Sequence, residues 1–172
     1  KAEDGVTLMV TVRDPKIARD VGLSYPFTES EARKWIRGGP MCLGLVRRYR
    51  LVIQHKATLE IIGAVGLDYD RVKQSVELSY WLAPEWQGQG LGPQVVLAAC
   101  RRAVLIAPVR LICAKVEMGN VASKHLVEKL GMKKQGYEIN ALYSNGLSGD
   151  FCIYAMNTKQ LRQSKQVVTG VS

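Results

Sequence analysis

The chain is poor in metal-binding patterns. Its 172 residues hold four cysteines and two histidines. Cys42, Cys100, Cys113 and Cys152 lie far apart and form no Cys-x-x-Cys pair. A structural zinc site needs four ligands, usually in such pairs, so no metal is expected. Scattered cysteines in apolar stretches read as buried, reduced thiols of a cytosolic-type protein. Long apolar runs are missing too. The longest, Val95 to Cys100 and Ala103 to Val109, fall well short of the ~20 residues that cross a bilayer, and no membrane partner is expected. The opening Lys1-Ala2-Glu3-Asp4 does not read as a signal peptide. A cytoplasmic location is the expectation, with organellar targeting left open if the N-terminus is trimmed. Internal repeats and low-complexity segments do not occur.

Acidic residues are the other shortage. Asp and Glu number 15 against 24 Lys and Arg, a net charge of +9. Such a balance suggests an anionic partner, whether nucleic acid, a ribosome, a membrane surface or a phosphorylated cofactor. The densest basic cluster, Arg47-Arg48-Tyr49-Arg50, is too short to put nucleic acid first. The alternative is that solvated lysines merely keep the protein soluble.

What is there reads as one globular domain, 47% hydrophobic and long enough for a sizeable core. Asp4 to Arg13 is expected as a helix, although Val6 to Val12 has strand propensity. Thr28 and Glu31 have capping-box spacing ahead of a helix from Glu29 to Arg37, ended by Gly38-Gly39-Pro40. Arg50 to Gln54 and Leu59 to Leu67 read as a hairpin. Val76 to Leu82 alternates, with Val76, Leu78, Tyr80 and Leu82 on one face and Glu77, Ser79 and Trp81 on the other. A helix from Gly92 to Ala107 carries one apolar stripe, and Leu111 to Val116 is an interior strand. Asn120 caps a helix closed by Gly131. Strands from Gly136 to Ser144 and Asp150 to Met156 flank an Asn145-Gly146 turn. Residues 158–172 read as a helical turn and a basic, polar tail outside a domain spanning 1–157.

The stretch Trp86-Gln87-Gly88-Gln89-Gly90-Leu91-Gly92-Pro93 spends three glycines between a strand and a helix. A helix N-terminus offers unpaired N–H groups and partial positive charge. Glycines ahead of it let the backbone approach an anion closely. Pro93 fits the first turn, where its missing N–H costs nothing. A phosphate cradle and a purely structural turn both fit the stretch. No Gly-Lys-Ser/Thr follows, so this is no Walker loop, and the glycine spacing departs from the dinucleotide fingerprint.

Gln87-Gly88-Gln89-Gly90-Leu91-Gly92 resembles the Q/R-x-x-G-x-G/A signature of the GNAT superfamily of acetyl-CoA-dependent N-acetyltransferases. The flanking VELSYWLAPEWQGQGLG is similar to that family's central strand and pyrophosphate loop. NVASKHLVEKLGM, with Asn120, Ser123 and Gly131, resembles its second signature, Met132 standing for the usual Phe. DPKIARDVGLSYPFTESEARKWI and YSNGLSGDFCIYAM are similar to the RimJ/RimL-like branch. The likeness spans about residues 2 to 156.

The resemblance implies an α/β (α+β) GNAT fold: a mixed central sheet with helices on both faces. In the family register the first strand precedes Glu3, so it would be missing from this chain. It implies a transferase, an acyltransferase moving an acetyl group from acetyl-CoA, the co-substrate, to a primary amine, with a protein N-terminus as first candidate. Pyrophosphate contacts fall to Gln87, Gly88, Gln89, Gly90, Leu91 and Gly92. The pantetheine arm pairs with the backbone of Trp81, Leu82 and Ala83, ended by Pro84. Glu77 becomes the general base, set against a partly exposed strand carboxylate with no chemical role. Asn120 bonds the cofactor arm, a function compatible with capping. Ser123 protonates the leaving thiolate, set against a purely local helix-to-backbone bond.

Three departures stand out. Many members carry a tyrosine where this chain has Val127. The Rim-type glutamate position falls near Leu142, with Glu138 close but out of register. Pro93 replaces a common hydroxyl residue. The first two keep a catalytically inactive CoA-binding module open as a second reading. A basic ribosome- or RNA-docking protein is a third. A homodimer and ribosome or RNA contacts are further expectations. Polyamine acceptors are disfavoured by +9 unless an acidic cleft forms locally.

Overall fold

Alternation along one strand organises the molecule. A computed structural model describes residues 4–38, 45–142 and 148–163. In chain order its elements are α1 (Asp4–Val10), α2 (Pro15–Asp20), α3 (Glu29–Ile36), β1 (Val46–Gln54), β2 (Ile61–Asp70) and β3 (Ser75–Leu82). A 3-10 turn at Pro84–Trp86 leads to α4 (Leu91–Ile106), β4 (Leu111–Glu117), α5 (Val121–Lys129), β5 (Lys133–Leu142), β6 (Ser148–Asn157) and α6 (Thr158–Gln163). The sheet order is β1-β2-β3-β4-β6-β5. All neighbours pair antiparallel except β3 and β4, which are parallel. This is the expected mixed sheet.

Successive β3 side chains enter different cores. Val76 and Leu78 join Val96 and Ala103 of α4, Val127 of α5 and Leu161 of α6. Trp81 joins Leu8 of α1, Ile17 of α2 and Ala32 of α3 on the opposite face. Burying such side chains is worth about 1.5–3 kcal/mol each, so β3 binds both helical layers to one sheet. Trp81 is also held edgewise, with ring centroids 4.9 Å from Trp35 and 6.5 Å from Phe27. Its Nε1–H donates to Thr11 Oγ1 at 2.8 Å.

Several boundaries differ from expectation, each for a local reason. The first segment is helical, so the strand alternative for Val6 to Val12 fails: burial of Leu8 overrides β-branched propensity. The helix stops before Arg13, because Thr11 Oγ1 turns back to donate to Leu8 O at 2.7 Å. α2 was not anticipated, yet Asp14 accepts from Lys16 N–H and Pro15 opens the first turn. Strand β1 begins at Val46 because its ladder continues to Asp70 of β2. β2 begins at Ile61 because Leu59 adopts φ +60°. β5 begins three residues earlier than expected, at Lys133 opposite Ala155. The capping box on α3 forms as read. Leu161 is buried in the main core, so packing extends past the expected boundary at 157. Gly39-Pro40, Cys42, the Asn145-Gly146 turn and residues 164–172 lie outside the described residues. Cys100 and Cys152 are buried and Cys113 half-buried, all as free thiols.

Candidate active site

The β3–β4 ladder is short. It pairs Ser75 with Leu111, Val76 with Ile112 and Glu77 with Cys113, and there it ends. Both strands continue past that point, β3 to Leu82 and β4 to Glu117. They part, and the sheet opens into a cleft of about 710 Å³ lined by Glu77, Leu78, Ser79 and Tyr80 on one side and Ala114 to Glu117 on the other. That volume suits a small-molecule site.

Parting leaves one edge of β3 unpaired. In an antiparallel strand, residues turn their N–H and C=O groups alternately to either side. Ala83 N–H donates to Ile62 O at 2.8 Å, so Ala83 faces β2, and by alternation Trp81 does too. Among the three backbone positions expected to meet the pantetheine arm, Leu82 therefore faces the gap. Its carbonyl accepts from Gln87 Nε2 at 2.8 Å.

At the mouth of the gap, Gln87 to Gly92 forms an open loop. Gly88 and Gly90 have φ of +71° and +74°, and no atom lies within 4 Å of where their Cβ would be. Left-handed backbone, not crowding, explains both glycines. Gly92 differs: a Cβ there would come within 2.6 Å of Leu126 Cδ1, so it lets α4 lie close to α5. Gln87 N–H is taken by Pro84 O. Gly88, Gln89, Gly90, Leu91 and Gly92 N–H groups have no hydrogen-bond partner among the described residues. These donors, at the start of a 16-residue helix, are what an anion requires. The three glutamines brace the loop, Gln89 bonding Glu85 O at 2.7 Å and Gln94 bonding Gly90 O at 3.4 Å. Pro93 sits in the first turn of α4.

Glu77 stands at the apex of the gap. Its carboxylate lies 3.9 Å from Lys115 Nζ, which also reaches Glu138 at 2.9 Å. Half of the Glu77 side-chain surface meets solvent (51%). It nevertheless lies on the floor of a cleft with protein on several sides, and this burial pushes its carboxyl above the ordinary value. Lys115 opposes that rise, while Asp68 and Glu138 add to it. For Lys115, burial favours the neutral amine, but the bond to Glu138 and the charges of both glutamates leave it above its usual value.

Glu138 reaches the site through Lys115, while it is not itself among the residues that line the cleft. The β5–β6 ladder is irregular between Lys134 and Gly136 and between Glu138 and Ala141. Counting residues along such a strand misplaces side chains. Leu142, at the position expected for a glutamate, lines the cleft as well. Val127 is fully buried in the core.

Asn120 caps α5, its Oδ1 accepting from Ser123 N–H at 3.0 Å. Its Nδ2 donates to Asp20 Oδ2 at 2.8 Å, so the cap also joins α5 to α2. The same Asp20 oxygen pairs with Lys16 Nζ at 2.5 Å. Ser123 Oγ lies 3.0 Å from Tyr80 Oη. Sequence reasoning missed Asp20, Lys115 and this role of Tyr80. Only Asp20 left a trace, the Asp14-Pro15 helix start that precedes it.

The basic cluster turns inward. Arg48 and Arg50 both pair with Asp68, and Arg50 lies 5.2 Å over the Trp35 ring. Arg47 is its exposed guanidinium. Cleft-lining acids (Asp20, Glu31, Asp68, Glu77, Glu117) nearly balance the bases Lys34, Arg48, Arg50 and Lys115. No helix among the described residues is long and apolar enough to cross a membrane.

Comparison with known proteins agrees with this architecture. A family model described as "Acetyltransferase (GNAT) domain" matches residues 1–133. The Bacillus subtilis protein named "Putative ribosomal N-acetyltransferase YdaF" is 30% identical over 112 residues, 61% of this chain and 58% of that protein. The chain thus matches little more than half of that relative's length. Spermidine N(1)-acetyltransferase of Vibrio cholerae is 26% identical over 67% of this chain and 68% of its own. Among solved structures, a V. cholerae spermidine N-acetyltransferase in complex with CoA and spermine superposes with a TM-score of 0.75 at 20% identity, covering 94% of each chain. RimL, a ribosomal L7/L12 alpha-N-protein acetyltransferase in complex with coenzyme A, gives 0.71 at 22% identity over 91% of this chain and 90% of its own. The chain belongs to the GNAT family of acetyl-CoA-dependent N-acetyltransferases.

Proposed function

We propose that the protein acetylates a primary amine with acetyl-CoA as co-substrate, by direct attack of the amine on the thioester. The observation that carries this reading is the parting of β3 and β4 immediately after Glu77, with unpaired amides at the mouth of the gap. The residues suit the co-substrate. The amides of Gly88 to Gly92 would hold its pyrophosphate, assisted by Gln87 and Gln89 as braces. The open β3 edge at Leu82 would receive the arm, between the sheet-facing Trp81 and Ala83. Asn120 would contact the arm with its remaining amide hydrogen.

Glu77 takes the proton of the attacking amine, directly or through a water. Burial suits it to this work, because a base is most useful with a pKa close to the working pH. Lys115 keeps the carboxylate charged. Ser123 donates a hydrogen bond to the sulfur as negative charge develops there. No step needs a metal-binding group.

A peptide N-terminus is the favoured acceptor. Its amine has an ordinary pKa of about 8, against about 10 for lysine, so it sheds its proton more readily near neutral pH. A polyamine would need an acidic cleft, and here four cations line the wall beside five acids. The test is thiol release from acetyl-CoA against a panel of peptides with free N-termini, lysine peptides and polyamines. Thiol release that depends on a free N-terminal amine supports the reading. Turnover with spermidine alone would overturn the acceptor assignment. CoA binding without turnover on any amine would favour the inactive module.

A further inference from the structure

The leaving sulfur needs an oriented donor, and the hydroxyl of Ser123 is free to rotate unless something fixes it. Ser123 lies in the first turn of α5, its backbone held by the Asn120 cap at 3.0 Å. Tyr80 comes from β3, across the same cleft. The two hydroxyl oxygens are 3.0 Å apart, and both residues line the gap where the strands part. We infer that Tyr80 is a positioning residue: its phenol donates to Ser123 Oγ and thereby turns the serine's own proton towards the leaving thiolate.

The direction of that bond follows from chemistry. A phenol is the more acidic hydroxyl and the better donor, and an aliphatic hydroxyl is the better acceptor. Burial pushes the Tyr80 phenol above its ordinary value, so it remains a protonated donor at neutral pH. Donation to an oxygen strengthens that oxygen's own O–H as a donor, through cooperativity along the chain.

The step balances without another reactant. The amine nitrogen forms the C–N bond and loses its proton to Glu77. The C–S bond breaks and its electron pair leaves on sulfur. Ser123 holds the thiolate by a hydrogen bond until water protonates it, and Glu77 returns its proton to water.

This inference rests on the acetyl-transfer reading, and its test separates the two. Steady-state kinetics would be measured on the full chain for wild type, Y80F, S123A and the double variant. Amine-dependent thiol release by wild type is the control for the functional reading. With that control met, Y80F should lower kcat about 10–100-fold, leaving the KM for acetyl-CoA within about twofold. The double variant should be no slower than S123A, because Tyr80 acts through the serine. A merely structural tyrosine would lower melting temperature and multiply its effect with that of S123A. A kcat for Y80F within twofold of wild type, or full multiplication in the double variant, overturns the inference while the functional reading stands. A wild type that releases no thiol defeats the functional reading, and this inference falls with it.

Discussion

Six consecutive residues, Gln87 to Gly92, build one half of the site, whereas the other half draws Glu77 from β3, Lys115 from β4 and Glu138 from β5. The loop works through its backbone. Its glycines set φ, and its donors are amides that any sequence would possess in that shape. The carboxylate cluster works through side chains whose distances depend on strand pairing. A local half can be altered one residue at a time with local effects. In the cross-strand half, changing one charge should move the titration of its neighbours.

The sharpest break in this comparison is Glu77→Gln. The amide keeps the shape and cannot take a proton, so kcat should fall by about 10²–10⁴-fold. CoA affinity, which we propose resides in the loop, should hardly change. The acid limb of the pH–rate profile should vanish with the carboxyl. Rates within threefold of wild type across that limb would move the base to Glu138 or to a bound water.

Gly90→Val attacks the local half. At φ +74° a β-branched residue is strained by about 1–3 kcal/mol. Open space surrounds that Cβ position, so the side chain would project where a phosphate should lie. CoA binding should weaken about 10–100-fold by calorimetry. At saturating acetyl-CoA, kcat should stay near wild type. A folded variant with unchanged CoA affinity would remove the loop from the site.

Lys115→Met sharpens the contrast with a smaller effect. Lys115 lowers the Glu77 pKa against the dominant rise from burial. Without the cation, Glu77 should titrate at higher pH, and the acid limb of kcat should move up, with only a few-fold loss on the plateau. Stability should respond too. With its folded pKa raised, Glu77 contributes stability that is full below the unfolded value of about 4.3. That contribution is lost as pH rises through the folded value. Glu77→Gln should therefore flatten the fall in melting temperature across that window, and Lys115→Met should steepen and extend it. An acid limb that stays in place in Lys115→Met would show that Glu77 and Lys115 do not titrate together.

The same contrast explains what could be read from sequence. The glycine loop, the α3 capping box and the Asn120 cap are set by residues within a few positions of one another, and each forms as its spacing implies. The two faces of β3 were legible because side chains alternate strictly. Lys115 was not, since nothing in Leu111 to Glu117 says which strands will flank it. The contact of Glu138 with Lys115 was not legible either, because two irregularities in the β5–β6 ladder break the period on which counting relies. Arg48 and Arg50 looked like surface charge, although a strand partner at Asp68 turns them into the cleft. Tyr80 was assigned to the correct face, but its partner arrives from α5, 43 residues later.

Asn120 joins the two kinds of construction, and its predicted effect is the smallest. Its Oδ1 caps α5 locally, while its Nδ2 reaches Asp20 a hundred residues earlier. Asn120→Ala removes both bonds and should cost about 1 kcal/mol or somewhat more, since a lost cap alone is worth about that. Asn120→Asp separates the two effects. A carboxylate still accepts from Ser123 N–H and suits the positive end of the helix, but it faces the Asp20 carboxylate with no hydrogen to give. If the cap is the whole role, Asn120→Asp should match wild type in melting temperature. If the link to α2 contributes, both variants should be destabilised, and Asp20→Ala should restore Asn120→Asp by removing the facing charge. Acetyl-CoA affinity, measured alongside, should fall more in Asn120→Ala than the loss of stability explains. A normal affinity with a lowered melting temperature would make Asn120 a cap alone.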